Sequence, residues 1–163
     1  MRSENIPVVV VGGGSAAFEA AVAAQQAGAP KVVMLEKAPE PEFGGNARFS
    51  HTGFRWVFSG PDEIRQFLPH IDDETFAKLH IPAYTAEQFH ADLRRVTRGR
   101  INKELADVLV GQSTAAIHWM REVGIKWDID SHVIIDGRYY FEPGMVVHPA
   151  GGVEGGIGQL PGE

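Results

Sequence analysis

Residues 6–17 read IPVVVVGGGSAA, an apolar run that meets three consecutive glycines and passes straight into small helix-forming residues. No other stretch restricts the fold as much. A short Val-rich run without alternation is the pattern of a strand buried on both faces of a parallel sheet. The residues from Ser15 to Ala27 (SAAFEAAVAAQQA) are nearly all helix formers, and Gly28 supplies a left-handed stop. Lys31 to Glu36 (KVVMLE) reads as a second buried strand. Strand, glycine turn, helix, glycine and strand within residues 6–36 make a βαβ unit and predict an α/β fold.

The glycines carry a chemistry as well as a turn. Gly12, Gly14 and Ala17 stand in the small positions of G-x-G-x-x-G/A. Gly12 permits the tight turn, Gly14 lets a pyrophosphate approach the backbone, and Ala17 lets helix and strand pack closely. The helix N-terminus then turns unpaired N–H groups and a positive dipole end toward phosphate. Glu36 closes the second strand 19 residues after Ala17, where a carboxylate accepts bonds from ribose hydroxyls and repels a 2′-phosphate. A lone glycine motif is as readily a plain loop, but this one follows a strand, opens a helix and is completed by an acid. It therefore predicts dinucleotide binding, NAD or FAD. Gly44-Gly45-Asn46, starting eight residues after Glu36, favours FAD, because a second glycine pair lets another backbone segment close on the same cofactor.

Beyond the βαβ unit, residues 38–61 form a long Pro/Gly-rich, aromatic-spotted loop, and loops of that length are usually functional. Helical signals return after Pro61. Thr85 with Gln88 has the form of a capping box opening a helix toward Thr97. Asn102 caps a longer helix whose apolar face is expected to be Leu105, Leu109, Ala116, Trp119, Met120 and Val123, with Gly124 ending it. HVIID and RYYFE around Asp136-Gly137 predict a β-hairpin. The expected segments are 1–60 (nucleotide-binding), 61–128 (mainly helical) and 129–163 (hairpin and glycine-rich end).

The chain has no cysteine, so disulfide frameworks and thiolate metal centres are excluded. A net charge of -6 argues against nucleic acid or an anionic membrane as partner of the whole chain. The N-terminus has no signal-peptide pattern and no apolar run approaches the ~18 residues of a membrane span, so a cytoplasmic protein is expected. His70, His80 and His90, ten apart, match no metal-ligand spacing. Arg94, Arg95, Arg98 and Arg100 read as a solvated helix end complementing the dipole, and the three tryptophans as core. Six of the 19 glycines fall in the last 13 residues, so the fold is expected to be incomplete, stopping within a glycine-rich loop.

The stretch GGGSAAFEAAVAAQQAGAPKVVMLEKAPEPEFGGNARFSHTGF resembles the N-terminal FAD-binding segment of the fumarate reductase/succinate dehydrogenase flavoprotein family. FHADLRRVTRGRINKELADVLVGQSTAAIHWMREVGIKWD looks most like the tricarballylate dehydrogenase branch, within a front end that urocanate reductases and 3-ketosteroid dehydrogenases share. The resemblance implies a Rossmann-like FAD-binding segment and an FAD-dependent oxidoreductase acting on CH–CH bonds of a small carboxylate, such as tricarballylate or fumarate. It implies that Gly12, Gly14, Ser15, Ala16 and Ala17 hold the pyrophosphate and Glu36 the adenosine ribose. Gly44, Gly45, Asn46, Thr52 and Gly53 would line the cofactor toward the flavin, with Thr52 standing where the family has a glycine. Ser50-His51-Thr52 imitates the triplet that links FAD covalently in the succinate dehydrogenase branch. Counted back from Gly53, the linking position falls seven residues earlier, on Asn46, so non-covalent FAD is expected. Catalytic acid and base are not identified, and an electron-accepting protein is a possible partner.

Residues 43–61 contain no Asp or Glu but hold Arg48, His51 and Arg55, a positive excess in an acidic chain. Guanidinium groups bind carboxylates in bidentate fashion, so these three are the candidate substrate residues. The competing expectation is that both arginines pair with acids elsewhere in the fold. Two other readings stay open at this stage: an NAD-binding Rossmann protein, and an inactive flavoprotein fragment.

Overall fold

The computed structural model describes residues 5–49, 53–130 and 132–150. It divides into two compact units, residues 1–52 with 151–163, and residues 53–150. Helices and strands are mixed in the element order.

In the first unit, β1 (Val8–Val11) runs parallel to β2 (Val32–Leu35), in register from Val8↔Val32 to Val11↔Leu35, with α1 (Ser15–Gln26) between them. The helix ends in a Schellman arrangement: Ala29 N–H donates to Ala24 O at 3.0 Å, Gly28 N–H donates to Gln25 O at 2.9 Å, and Gly28 takes φ 91°. The expectation of two strands buried on both faces is corrected here. Val9 is 47% and Val11 83% exposed, and α1 buries no residue completely. The reason is the number of layers: among the described residues this sheet has two strands and one helix, too few to cover both faces. Among the described residues of this unit, Gly13 alone is buried.

The second unit has the large core. An extended segment, residues 54–58, is clamped by Trp56 N–H to Gly144 O (3.3 Å) and by a reciprocal bridge between Phe58 and Tyr84 (3.1 and 3.0 Å). Around it lie α2 (Pro61–Arg65), α3 (Asp73–Phe76), β3 (Leu79–His80), α4 (Ala86–Val96) and α5 (Lys103–Glu122). The short strands β4 (Trp127–Ile129), β5 (His132–Ile135), β6 (Arg138–Phe141) and β7 (Val147–Pro149) complete it. Asp72, Thr85 and Asn102 each cap their helix, and Thr85 with Gln88 makes both bonds of a capping box. The β5–β6 hairpin turns at Asp136 (φ 49°) and Gly137 (φ 75°), the left-handed pair that a type I′ turn needs. The sheet order β3-β6-β5 and the antiparallel pair β4–β7 are additions that two- and three-residue strands did not announce.

Trp56, Ile64, Phe67, Leu68, Ile117 and Val147 are the largest wholly buried side chains. The α5 face expected from sequence is corrected in part: Met120 is buried and Trp119 packs against the core as expected, but Leu105, Leu109, Ala116 and Val123 are exposed. Ala106, Val110, Ser113, Ile117 and Met120 point inward, whereas Leu105 (69% exposed) and Leu109 (52%) point outward. Both stripes have helical period. The inner one is selected by Ser113, whose Oγ accepts from Val57 N–H at 3.1 Å and donates to Val110 O at 2.8 Å, tying the helix to the clamped segment.

Candidate functional site

Three stretches far apart in sequence meet at the C-terminal end of β1 and β2. Gly12 takes φ 121°, which L side chains rarely adopt, and its N–H donates to Leu35 O at 2.7 Å, so the glycine turn is pinned to the second strand. Gly14 is the N-cap of α1, and no side chain caps the helix there. Ala17 and Phe18 N–H fold back onto Gly14 O at 3.0 and 3.2 Å. Ser15 and Ala16 form the exposed opening of the helix, where an anion can meet backbone N–H groups and the positive dipole end. Ala17 fits beside the turn because its Cβ lies 3.8 Å from where a Cβ on Gly12 would stand.

Glu36 leaves the end of β2 toward this turn. Its carboxylate accepts from Ala38 N–H at 2.8 Å, and that bond above all holds its pKa below the usual carboxylate range, with Gly13 and Lys37 N–H adding to the effect. A Cβ on Gly13 would stand 2.9 Å from Glu36 Oε2 and 2.7 Å from the Phe43 ring. The second glycine pair closes from the other side. A Cβ on Gly45 would lie 3.5 Å from Gly14 Cα, and one on Gly14 would lie 3.8 Å from Gly44 O. Gly44 and Gly45 take φ 116° and 58°, so neither position suits a side chain. This is a cradle of backbone that a Cβ would fill: two glycine segments face each other, an uncapped helix opens beside them, and an ionised carboxylate stands at the strand end. An anionic linker with a hydroxylated sugar fits these groups chemically.

Phe43 and Gly13 were not singled out from sequence, yet they fasten the cradle. The Phe43 ring packs edge-on against Phe18 of α1 at 5.8 Å and covers Gly13. The available signal was an aromatic residue immediately before a glycine pair.

The comparisons agree with this geometry. The family described as FAD binding domain matches residues 7–155. The chain belongs to this FAD-binding family. Within it, 127 residues are 32% identical to the probable fumarate reductase Ifc3 of Shewanella frigidimarina (strain NCIMB 400), covering 77% of this chain and 18% of that protein. A fumarate reductase (cytochrome) of Shewanella frigidimarina is 29% identical over 121 residues, covering 74% of this chain and 18% of its own length. The chain thus spans less than a fifth of the relatives it matches.

The remaining predicted residues of this FAD-binding chain are placed as follows. Asn46 and Arg48 lie in the 3-10 turn Gly45–Phe49, where Arg48 Nη1 donates to Phe43 O at 3.4 Å. His51 and Thr52 lie outside the described residues. Gly53 and Arg55 belong to the second unit. A Cβ on Gly53 would collide with Met145 Cε and stand 2.5 Å from Asp130 Oδ2, so glycine there is required by the packing of its own unit. Arg55 Nη1 is 3.9 Å from Asp92 Oδ2, and Nη2 donates to Met145 Sδ at 3.5 Å. Among the described residues no three His, Asp or Glu side chains converge as a metal site, and no helix is long and apolar enough to cross a membrane.

Proposed function

We propose that this chain holds the FAD of an oxidoreductase that acts on a carbon–carbon bond of a small carboxylate, fumarate or tricarballylate being the candidate substrates. The observation that carries the reading is the meeting of Gly12–Gly14, Glu36 and Gly44–Gly45 at one strand end, in a chain of an FAD-binding family. In this reading the pyrophosphate lies against Gly12, Gly14, Ser15, Ala16 and Ala17, with the backbone N–H groups that open α1 ahead of Ala17 as its donors. Glu36 accepts the ribose hydroxyls, and its depressed pKa keeps it ionised. Gly44, Gly45 and Asn46 close the cofactor from the opposite side, with Thr52 and Gly53 toward the flavin. The Rossmann-like character rests on the parallel β1–α1–β2 unit.

FAD supplies the two-electron chemistry, while the protein supplies binding, orientation and electrostatics. Arg48, His51 and Arg55 bind the substrate carboxylates, and an electron-accepting protein completes the redox cycle in a cytoplasmic setting. The fumarate reductase relatives support the carboxylate, and the cytochrome-bearing name of one of them supports an electron-transfer partner.

The test is direct. The purified chain is supplied with FAD, freed of excess, and its visible absorbance recorded before and after acid denaturation. Bound flavin that is released as free FAD on denaturation is the expected result. A colourless folded chain would sink the cofactor reading, and flavin that stays with the polypeptide would sink the non-covalent one. Reoxidation of the reduced flavin by fumarate, under anaerobic conditions, tests the substrate class.

A further inference from the structure

Arg55 is held by a carboxylate on one side and weakly partnered on the other. Asp92 gives its short bonds elsewhere: Oδ2 accepts from Tyr84 Oη at 2.8 Å and Oδ1 accepts from Arg95 Nη2 at 2.9 Å. Arg55 Nη1, at 3.9 Å, is its loosest neighbour. Across the guanidinium, Nη2 donates to the thioether of Met145, the Tyr84 hydroxyl interacts with the same guanidinium, and Nε is buried with no hydrogen-bond partner among the described residues. A thioether sulfur is a weak acceptor, and an orphaned N–H of a charged group is costly to bury. The stem of Arg55 is fixed by Gly144 (φ 79°), where a Cβ would stand 2.9 Å from Arg55 Cγ and 2.6 Å from the Tyr84 ring. The side chain is therefore closely packed, while the edge formed by Nε and Nη2 has a sulfur at Nη2 and no partner at Nε among the described residues. That edge is the one whose two parallel N–H groups match a carboxylate in bidentate geometry.

We propose that Asp92, braced by Tyr84 and Arg95, is a positioning residue that tethers Arg55 by Nη1 so that its Nε–Nη2 edge takes a substrate carboxylate, which displaces Met145. This rests on the proposed carboxylate-binding role of Arg55 and adds the residues that aim it. Asp92 repels a ligand carboxylate in its own right, so its effect on affinity runs through Arg55. The exchange at Nη2 trades a sulfur for an oxygen and satisfies Nε at the same step.

The experiment measures fumarate affinity of the full chain loaded with FAD by titration calorimetry. Arg55→Gln is expected to weaken binding at least 100-fold and Asp92→Asn about 10-fold, with Asp92→Glu recovering part of the loss. Met145→Leu is expected to bind as tightly as the parent or tighter. In the Arg55→Lys background, which lacks the fork, Asp92→Asn is expected to have no further effect, a non-additivity that general loss of structure does not produce. If Arg55→Gln binds like the parent, or the parent binds no fumarate, the carboxylate reading itself falls. If Arg55→Gln loses binding while Asp92→Asn retains it, or the two losses simply add, the tether is wrong and the carboxylate reading stands.

Discussion

Gly13 shows how little room a single position leaves. It was passed over in sequence because the motif assigns no task to its middle residue, yet it is the buried point on which Glu36 and Phe43 converge. Gly13→Ala would put a methyl against the Phe43 ring and the Glu36 carboxylate, so one or both must shift. FAD affinity, followed by quenching of flavin fluorescence, is expected to fall at least 10-fold. Tyr84 offers a second residue-scale prediction. Burial first, and its bond to Asp92 second, push its pKa from 10.0 up to about 12. The folded state therefore holds this proton more tightly than the unfolded chain, and the stabilisation is complete below the unfolded value. It is lost as pH rises through the folded value, so stability should fall between pH 10 and about 12. Urea denaturation of Tyr84→Phe should show a shallower loss across that window. Asp92 has the opposite sign. Arg95 first and Tyr84 second lower its pKa, so its contribution is present above the unfolded value and fades as pH falls through the folded one.

The helix ends were the most legible elements, because caps depend on residues within one turn of each other. Gly28 and Gly124 stand at left-handed positions past α1 and α5, and Thr85 and Gln88 form the box their spacing announced. The end of α4 breaks the pattern. Arg98 takes φ 52° in the place where a glycine belongs, with its N–H bonded to Arg95 O at 3.2 Å and Gly99 N–H to Arg94 O at 2.8 Å. Arg98→Gly is expected to raise stability by about 1 kcal/mol, read from the urea midpoint, because it relieves a left-handed non-glycine residue. A lower midpoint would mean that the arginine side chain contributes more than its backbone strain costs. The α5 face was misread in part, Met120 and Trp119 packing as expected and Leu105 and Leu109 not, for a reason local rules cannot repair. Leu105, Leu109 and Val123 repeat as regularly as Val110, Ile117 and Met120, and only packing against residues 54–58 decides which stripe turns inward.

For the molecule as a whole, burial is divided unequally between the two units. All of the large buried side chains among the described residues lie within 53–150, while the first unit leaves strand valines in solvent. Ile117→Ala, at 1% exposure, is expected to cost about 2 to 5 kcal/mol in the main thermal transition. FAD at about 100 times its Kd is expected to add about 2.7 kcal/mol to whichever transition involves the first unit. Calorimetric scans with and without FAD, on the parent and on Ile117→Ala, would separate the two. A ligand shift confined to the transition weakened by Ile117→Ala would place the cofactor-dependent stability in the second unit instead. What the sequence by itself determined is the strand–glycine–helix–strand order, the caps, the hairpin turn and the three stretches that form the cradle, since each rests on backbone freedom or bonds between near neighbours. Only the tertiary structure decided that Phe43 and Glu36 close on Gly13, that α5 buries its less obvious face, and that Arg55 faces Asp92 and Met145. Those outcomes depend on contacts between residues 23 to 90 apart, which are set by which surfaces have something to pack against and not by any property of the residues' neighbours in the chain.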